Sequence, residues 1–186
     1  ALPIYDINPF IKFGCLKDEK FSEKMNDYIL FKNLDNIKKS FNQFAKQTSQ
    51  LLVINGDDKN SVECTADVNL KKLFYGFDSK NDYYAANYQK GEGVSQSFDL
   101  MSDGKLITKI TLNVPGKHNV LNALAAITVA LYLGAEPENI AKSIAEFSGV
   151  HRRFEILGNV NGITVADDFA HHPTELTATL NSAMSM

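Results

Sequence analysis

Between Leu34 and Gln50 apolar residues recur every three or four positions (Leu34, Ile37, Phe41, Phe44, Ala45), with Lys38, Lys39, Asn42 and Lys46 between them. That spacing predicts an amphipathic helix whose lysines form a solvated face, phosphate contact being the alternative. The period then changes. Leu51 to Asn55, LLVIN, is a continuous apolar, β-branched run ending in Gly56-Asp57-Asp58, as a buried parallel strand meets its loop. Ligands sit at such strand ends in doubly wound sheets, so Asp57 and Asp58 are candidates, with a plain Asx-turn as the other reading. From residue 72 the runs KLFYGF, DYYAANYQK, SQSFDLMS and LITKITLNV are separated by turn residues and predict three or four antiparallel strands. Tyr83, Tyr84 and Tyr88 are expected to pack on this sheet rather than to stack on a base.

The most regular stretch runs from Val114 to Leu133. Pro115-Gly116 breaks the chain, the polar run Lys117-His118-Asn119 follows, and Val120, Leu124, Ile127 and Leu131 mark one face of a buried helix that Gly134 ends as a left-handed cap. A second helix is predicted from Pro137 to Phe147, closing at Gly149. Two short strands, FEILGNV and ITVAD, flank the hairpin signal Asn161-Gly162. A last helix begins at Pro173, with Leu176 and Leu180 on one face. Residues 1–35 predict no more than a strand or an irregular cover, with the mixed-charge run KDEKFSEKMND exposed.

Composition narrows the classes. A chain of 186 residues, 44% hydrophobic and 22% charged, can hold one good core or two small ones. The net charge of -3, with no Lys/Arg cluster among aromatics, excludes a nucleic-acid footprint. Cys15 and Cys64 are far apart and outside any CxxC pattern, so neither a disulfide framework nor a zinc site is indicated, and a reducing cytoplasm fits. No basic leader opens the chain, and no apolar run reaches the length of a membrane span. The last segment is a helix in progress, which makes a fragment of a longer protein the expectation.

A polar cluster at the start of an apolar helix sits among unpaired backbone N–H groups and the positive end of the helix dipole, so it suits an anion or a polar ring edge. The plain alternative is that Asn119 caps the helix and Asn122 lies on its exposed side. Three separated runs decide between these by resemblance. GKHNVLNALAA, GVHRRFE and DDFAHHPTE, in that order, resemble the Mur ligase family, the ATP-dependent amino-acid ligases of peptidoglycan precursor synthesis. The resemblance covers roughly residues 31 to 186 and is sharpest from 114 to 180.

The resemblance implies an α/β fold: part of a P-loop-type central domain with a small antiparallel sheet, over residues 1–149, followed from 150 to 186 by the opening of a Rossmann-like C-terminal domain. By the family pattern, His118, Asn119 and Asn122 bind the adenine end of ATP. An Asn amide both donates and accepts, matching the N6 and N7 edge of adenine. Arg153 resembles an interdomain arginine that reaches the nucleotide, with Arg152 beside it; a surface ion pair is the other reading. Asp168 resembles the carboxylate that binds the ribose, Asp167 being structural. His171 and His172 fall where an AHxP turn approaches the γ-phosphate and the incoming amino acid, whereas the residues alone read as a capped turn. Two lobes joined near Gly149 are thus expected to face one nucleoside cleft, amides on one wall and a carboxylate on the other.

The implied reaction phosphorylates a substrate carboxylate with ATP, assisted by Mg2+, and lets an amino-acid amine attack the acyl phosphate. RRFE with HHPTE resembles the branch that joins L-alanine to UDP-N-acetylmuramate, whereas DDFAHHPT is shared with a branch that recycles murein tripeptide. Phe169 points to the second and Glu175 to the first. The sequence departs from the family pattern in two places. No GxxxxGK[ST] is present to cradle a triphosphate, and ahead of FKNLDNIKKSF stands Asp27 with no His to accompany it as a magnesium ligand. No turnover by these residues alone is therefore expected. A non-catalytic module on a ligase scaffold is the alternative reading.

Overall fold

A computed structural model describes residues 10–12, 34–171 and 173–184. Cys15, Asp27, most of the region 1–35 and His172 lie outside the described residues. Six strands form one sheet in chain order: β1 (Phe10–Lys12), β2 (Leu51–Asn55), β3 (Lys71–Gly76), β4 (Tyr83–Lys90), β5 (Gln96–Ser102) and β6 (Lys105–Leu112). A separate hairpin pairs β7 (Glu155–Val160) with β8 (Ile163–Asp167). Five helices complete the described chain: α1 (Leu34–Lys46), α2 (Lys59–Thr65), α3 (Lys117–Tyr132), α4 (Pro137–Glu146) and α5 (Pro173–Ala183).

The unbroken apolar run of β2 is explained by cover on both faces. Leu51 and Val53 enter the main core with Val120, Leu124 and Ile127 of α3, while Leu52 and Ile54 meet Ala45 of α1 and Val68 on the other side. Strands β5 and β6 alternate instead. Phe98, Leu100, Ile110 and Leu112 are buried in the main core, and Lys109 and Thr111 between them are exposed. Burial of each such side chain contributes about 1.5–3 kcal/mol.

One expectation needs correction. The run at 71–76 is not an antiparallel strand, because β3 pairs parallel with both β2 and β4; antiparallel pairing joins β4 to β5, β5 to β6 and, at the other edge, β1 to β2. The small antiparallel sheet is thus continuous with the parallel strands. No crossover helix is needed between β3 and β4, since β4 begins beside the last two residues of β3, Tyr75 against Tyr83 and Gly76 against Tyr84. Asp57 holds the connecting loop: its carboxylate accepts the Phe77 N–H at 2.5 Å and Asn81 Nδ2 at 2.9 Å. A Cβ on Gly76 would lie 2.5 Å from both Asn81 Nδ2 and Asp57 Oδ1, so glycine is required there.

Asp58 is also structural. It caps α2 by accepting from the Asn60 and Ser61 N–H groups, and that helix was not anticipated. The face of α1 expected to be solvated docks on it: Lys38 Nζ lies 2.7 Å from Glu63, Asn42 Nδ2 donates to Cys64 O at 2.8 Å, and Lys46 pairs with Asp67 at 2.8 Å. The tyrosines pack on the sheet as expected, Tyr84 buried and Tyr83 and Tyr88 against the main core.

The remaining elements follow their signals. Helix α3 buries Val120, Leu124 and Ile127 completely and ends at Gly134 (φ +86°), where the Gly134 and Ala135 N–H groups return to Leu131 O and Ala130 O. Helix α4 has Pro137 in its first turn and stops at Glu146. Asn161 (φ +52°) and Gly162 (φ +81°) both take left-handed backbone between β7 and β8. Helix α5 starts at Pro173 but turns Glu175 and Ser182 inward, leaving Leu176 and Leu180 exposed by 45% and 60%. No described helix is long and apolar enough to cross a membrane.

Candidate functional site

Helix α3 begins at Gly116, whose φ of +94° places it outside helical backbone, so Asn119 is not the cap but the third helical residue. Its side chain reaches back instead, Nδ2 donating to Pro115 O at 2.7 Å, and its Oδ1 accepts from Asn122 Nδ2 at 3.2 Å. Neither alternative of the plain reading holds, since Asn122 is partly buried. A cleft of about 460 Å³ opens here, and His118, Asn119 and Asn122 line it.

The opposite wall comes from the segment after Gly149. The same cleft is lined by Arg153, Phe154 and Asp168, with Thr179 and Ser182 of α5. Asp168 fixes this wall, its Oδ2 accepting the Phe154 N–H and its Oδ1 the Ala170 N–H, each at 2.7 Å. Each oxygen keeps a second lone pair. Apolar side chains, among them Val114, Ile144, Phe147 and Val150, make up most of the remaining lining, which suits the flat faces of a ring.

His118 is held below its ordinary value of 6.5 chiefly by burial and also by Arg153, against an opposing pull from Asp168. Its imidazole is therefore neutral at pH 7 and can donate from one nitrogen and accept at the other.

Not every expected residue reaches the cleft. Arg152 stacks its guanidinium 4.5 Å from the centre of the Phe169 ring and places Nε 3.9 Å from Asp167, with the side chain 63% exposed. It is a surface contact, so its expected share in nucleotide binding has no support in this geometry. His171 is half-exposed; its N–H donates to the buried Glu175 at 3.2 Å and its ring Nδ1 lies 3.0 Å from Phe169 O. It does not line the cleft.

Some lining residues were not singled out beforehand. Thr179 Oγ1 is buried with no hydrogen-bond partner among the described residues, and Ser182 Oγ would lie 2.9 Å from a Cβ on Gly116. The signal was the spacing Glu175, Ala178, Thr179, Ser182, a helical face of small and polar residues masked by the more conspicuous leucines.

Family comparisons cover both walls. The Mur ligase middle domain matches residues 27–130, and the glutamate ligase domain of Mur ligases matches residues 152–186. The UDP-N-acetylmuramate–L-alanine ligase of Caldanaerobacter subterraneus subsp. tengcongensis is 43% identical over 155 residues, 82% of this chain and 34% of that protein. Among solved structures, the UDP-N-acetylmuramate-alanine ligase of Thermotoga maritima superposes with a TM-score of 0.70 at 29% identity, over 83% of this chain and 34% of the other. MurF of Acinetobacter baumannii gives 0.73 at 21% identity over 84% and 34%, a likeness of fold. The chain thus spans about a third of the length of the relatives it matches. With the first family domain running to within two residues of the end of α3 and the second holding Arg153 and Asp168, the chain belongs to the Mur ligase family.

Proposed function

We propose that this chain forms the nucleoside-binding junction of an ATP-dependent ligase that joins L-alanine to UDP-N-acetylmuramate through an acyl phosphate in the cytoplasm. The observation that carries the reading is the convergence of His118, Asn119 and Asn122 with Arg153 and Asp168 on one cleft. The domain boundary falls at Gly149, with residues 1–149 in the central domain and 150–186 in the C-terminal one. L-Alanine rather than a recycled peptide is favoured by the relatives' names.

The hydrogen-bonding capacity of the cleft fits adenosine. Asn119 has used one of two Nδ2 hydrogens and one of two Oδ1 lone pairs, so its amide still donates to N7 and accepts from N6 of an adenine. Asp168 accepts from ribose hydroxyls with the lone pairs its backbone bonds leave. The planar fork of Arg153 takes a phosphate oxygen pair. ATP supplies the phosphoryl group, and His171 and His172 remain the proposed neighbours of its γ-phosphate. Among the described residues no group of three or more His, Cys, Asp or Glu side chains is placed to hold a metal, so a Mg2+ ion arriving with ATP would be held mainly by the phosphates and water.

The sequence holds no GxxxxGK[ST], so nucleoside binding is separated here from phosphoryl transfer. Titration of the 186-residue chain with ADP is expected to give measurable heat that Asn119→Ala removes. Identical heats for the two proteins would refute the assignment. In a phosphate-release assay with UDP-N-acetylmuramate, ATP, magnesium and L-alanine the chain is expected to be silent, and turnover would show that it carries a triphosphate cradle of another kind.

A further inference from the structure

The turn that delivers α3 to the cleft contains a proline and a positive-φ glycine and has little backbone pairing of its own. Its three successive carbonyls are nevertheless held by side-chain amides. Gln96 Nε2 donates to Val114 O at 2.6 Å and Gly116 O at 3.1 Å, and Asn119 Nδ2 takes Pro115 O between them at 2.7 Å. Gln96 is the first residue of β5, shares a sheet face with Phe98 and Leu100, and is only 2% exposed. The alternation calls for an apolar residue at this position. A buried carboxamide there is tolerated because it is bonded: both Nε2 hydrogens are used, and Oε1 accepts the Tyr88 hydroxyl at 2.9 Å.

Tyr88 closes the circuit from the other side. Lys117, the first residue of α3, holds its ammonium 5.5 Å from the centre of the Tyr88 ring. The hydroxyl that orients Gln96 and the ring that meets α3 therefore belong to one side chain.

We infer that Gln96 is a positioning residue for the nucleotide site, its buried carboxamide tying β5 to the Val114–Gly116 turn and so fixing where His118 and Asn119 meet the ligand. The inference rests on the nucleotide reading above. It acts through a turn that also anchors Asn119: without Gln96 the Val114 carbonyl loses its side-chain donor, and the Gly116 carbonyl keeps the Asn119 N–H at 3.0 Å but loses its tie to β5, so the turn relaxes and Asn119, bonded to Pro115 O within it, is carried along. Groups held only by such a supporting shell lose their geometry when it is removed.

The test uses the 186-residue chain and two readouts, amide hydrogen exchange across residues 114–120 and ADP affinity by titration at a temperature where every variant is folded. Gln96→Met keeps the volume and removes all three bonds; it is expected to speed exchange selectively in 114–120 and to weaken ADP binding by about tenfold or more. Tyr88→Phe removes only the orienting hydroxyl and keeps the ring. It is expected to move both readouts in the same direction by about twofold to fivefold, and it decides the matter should Gln96→Met fail to fold. Leu52→Ala, in the cluster on the opposite sheet face, controls for general destabilisation and is expected to leave ADP affinity unchanged. Gln96 or Tyr88 variants that lose only thermal midpoint, as Leu52→Ala does, would overturn the inference. If the unaltered chain binds no ADP, the nucleotide reading fails, and unchanged exchange in 114–120 would separately overturn the role of Gln96 in holding the turn.

Discussion

Gly116 is constrained twice over, by its backbone and by its neighbours. A Cβ there would lie 2.6 Å from His118 Cε1 and 2.9 Å from Ser182 Oγ, on backbone at φ +94°. Gly116→Ala therefore combines backbone strain with a clash and should cost about 2 kcal/mol or more in urea unfolding. Gly134→Ala, at φ +86° but with open space around it, should cost only about 1 kcal/mol. His118 makes a prediction in pH. Its folded value lies below 6.5 because burial disfavours the imidazolium, so the unfolded chain binds the proton more readily. The stability it contributes is complete above 6.5 and is lost as pH falls from there toward the lowered value. Glu63 and Glu155, lowered from 4.5 by their bonds to Lys38 and to the Arg152 N–H, weaken only below that point. Thermal midpoints measured from pH 7.5 to 5.5 should fall in the unaltered chain and fall less in His118→Gln.

Elements with long periodic patterns are legible in the sequence, and those whose identity depends on a neighbour are not. Helix α3 shows three- and four-residue spacing over four turns, and the Asn161-Gly162 turn needs only two positive-φ residues. Parallel and antiparallel strands, by contrast, share a two-residue alternation, so nothing within Lys71–Gly76 distinguishes them; the offset of Tyr83 beside Tyr75 does. Helix α2 is only seven residues long, less than two full turns, and its Asp58 cap reads equally as a turn. Asp58→Ala should cost about 1 kcal/mol by removing that cap, readable in a urea midpoint. At the site, the motif residues His118, Asn119, Asn122, Arg153 and Asp168 were singled out in advance and do share a cleft. Thr179 and Ser182 escape a reading by apolarity, because on α5 the leucines face out.

Across the whole molecule two units differ in how much of their apolar surface is covered. The six-stranded sheet buries residues on both faces at β2, whereas the hairpin leaves Leu157, Val160 and Ile163 exposed by 62%, 64% and 68%. Replacing Leu157 and Ile163 by Lys should leave the unfolding midpoint nearly unchanged, within about 0.5 kcal/mol per site, while reducing self-association in light scattering. An unchanged scattering profile would mean that this face is not sticky in solution. Both units line the cleft, α3 and α4 from one side and Arg153, Phe154, Asp168 and α5 from the other, so the cleft itself depends on both. The most direct measurement is a double-mutant cycle in ADP titrations of the 186-residue chain, with Asn119→Ala on one wall, Arg153→Ala on the other, and the pair together. Loss of affinity of about tenfold or more from each single change is the predicted result, and full affinity in Arg153→Ala, with Asn119→Ala impaired or not, would contradict a ligand held between two walls.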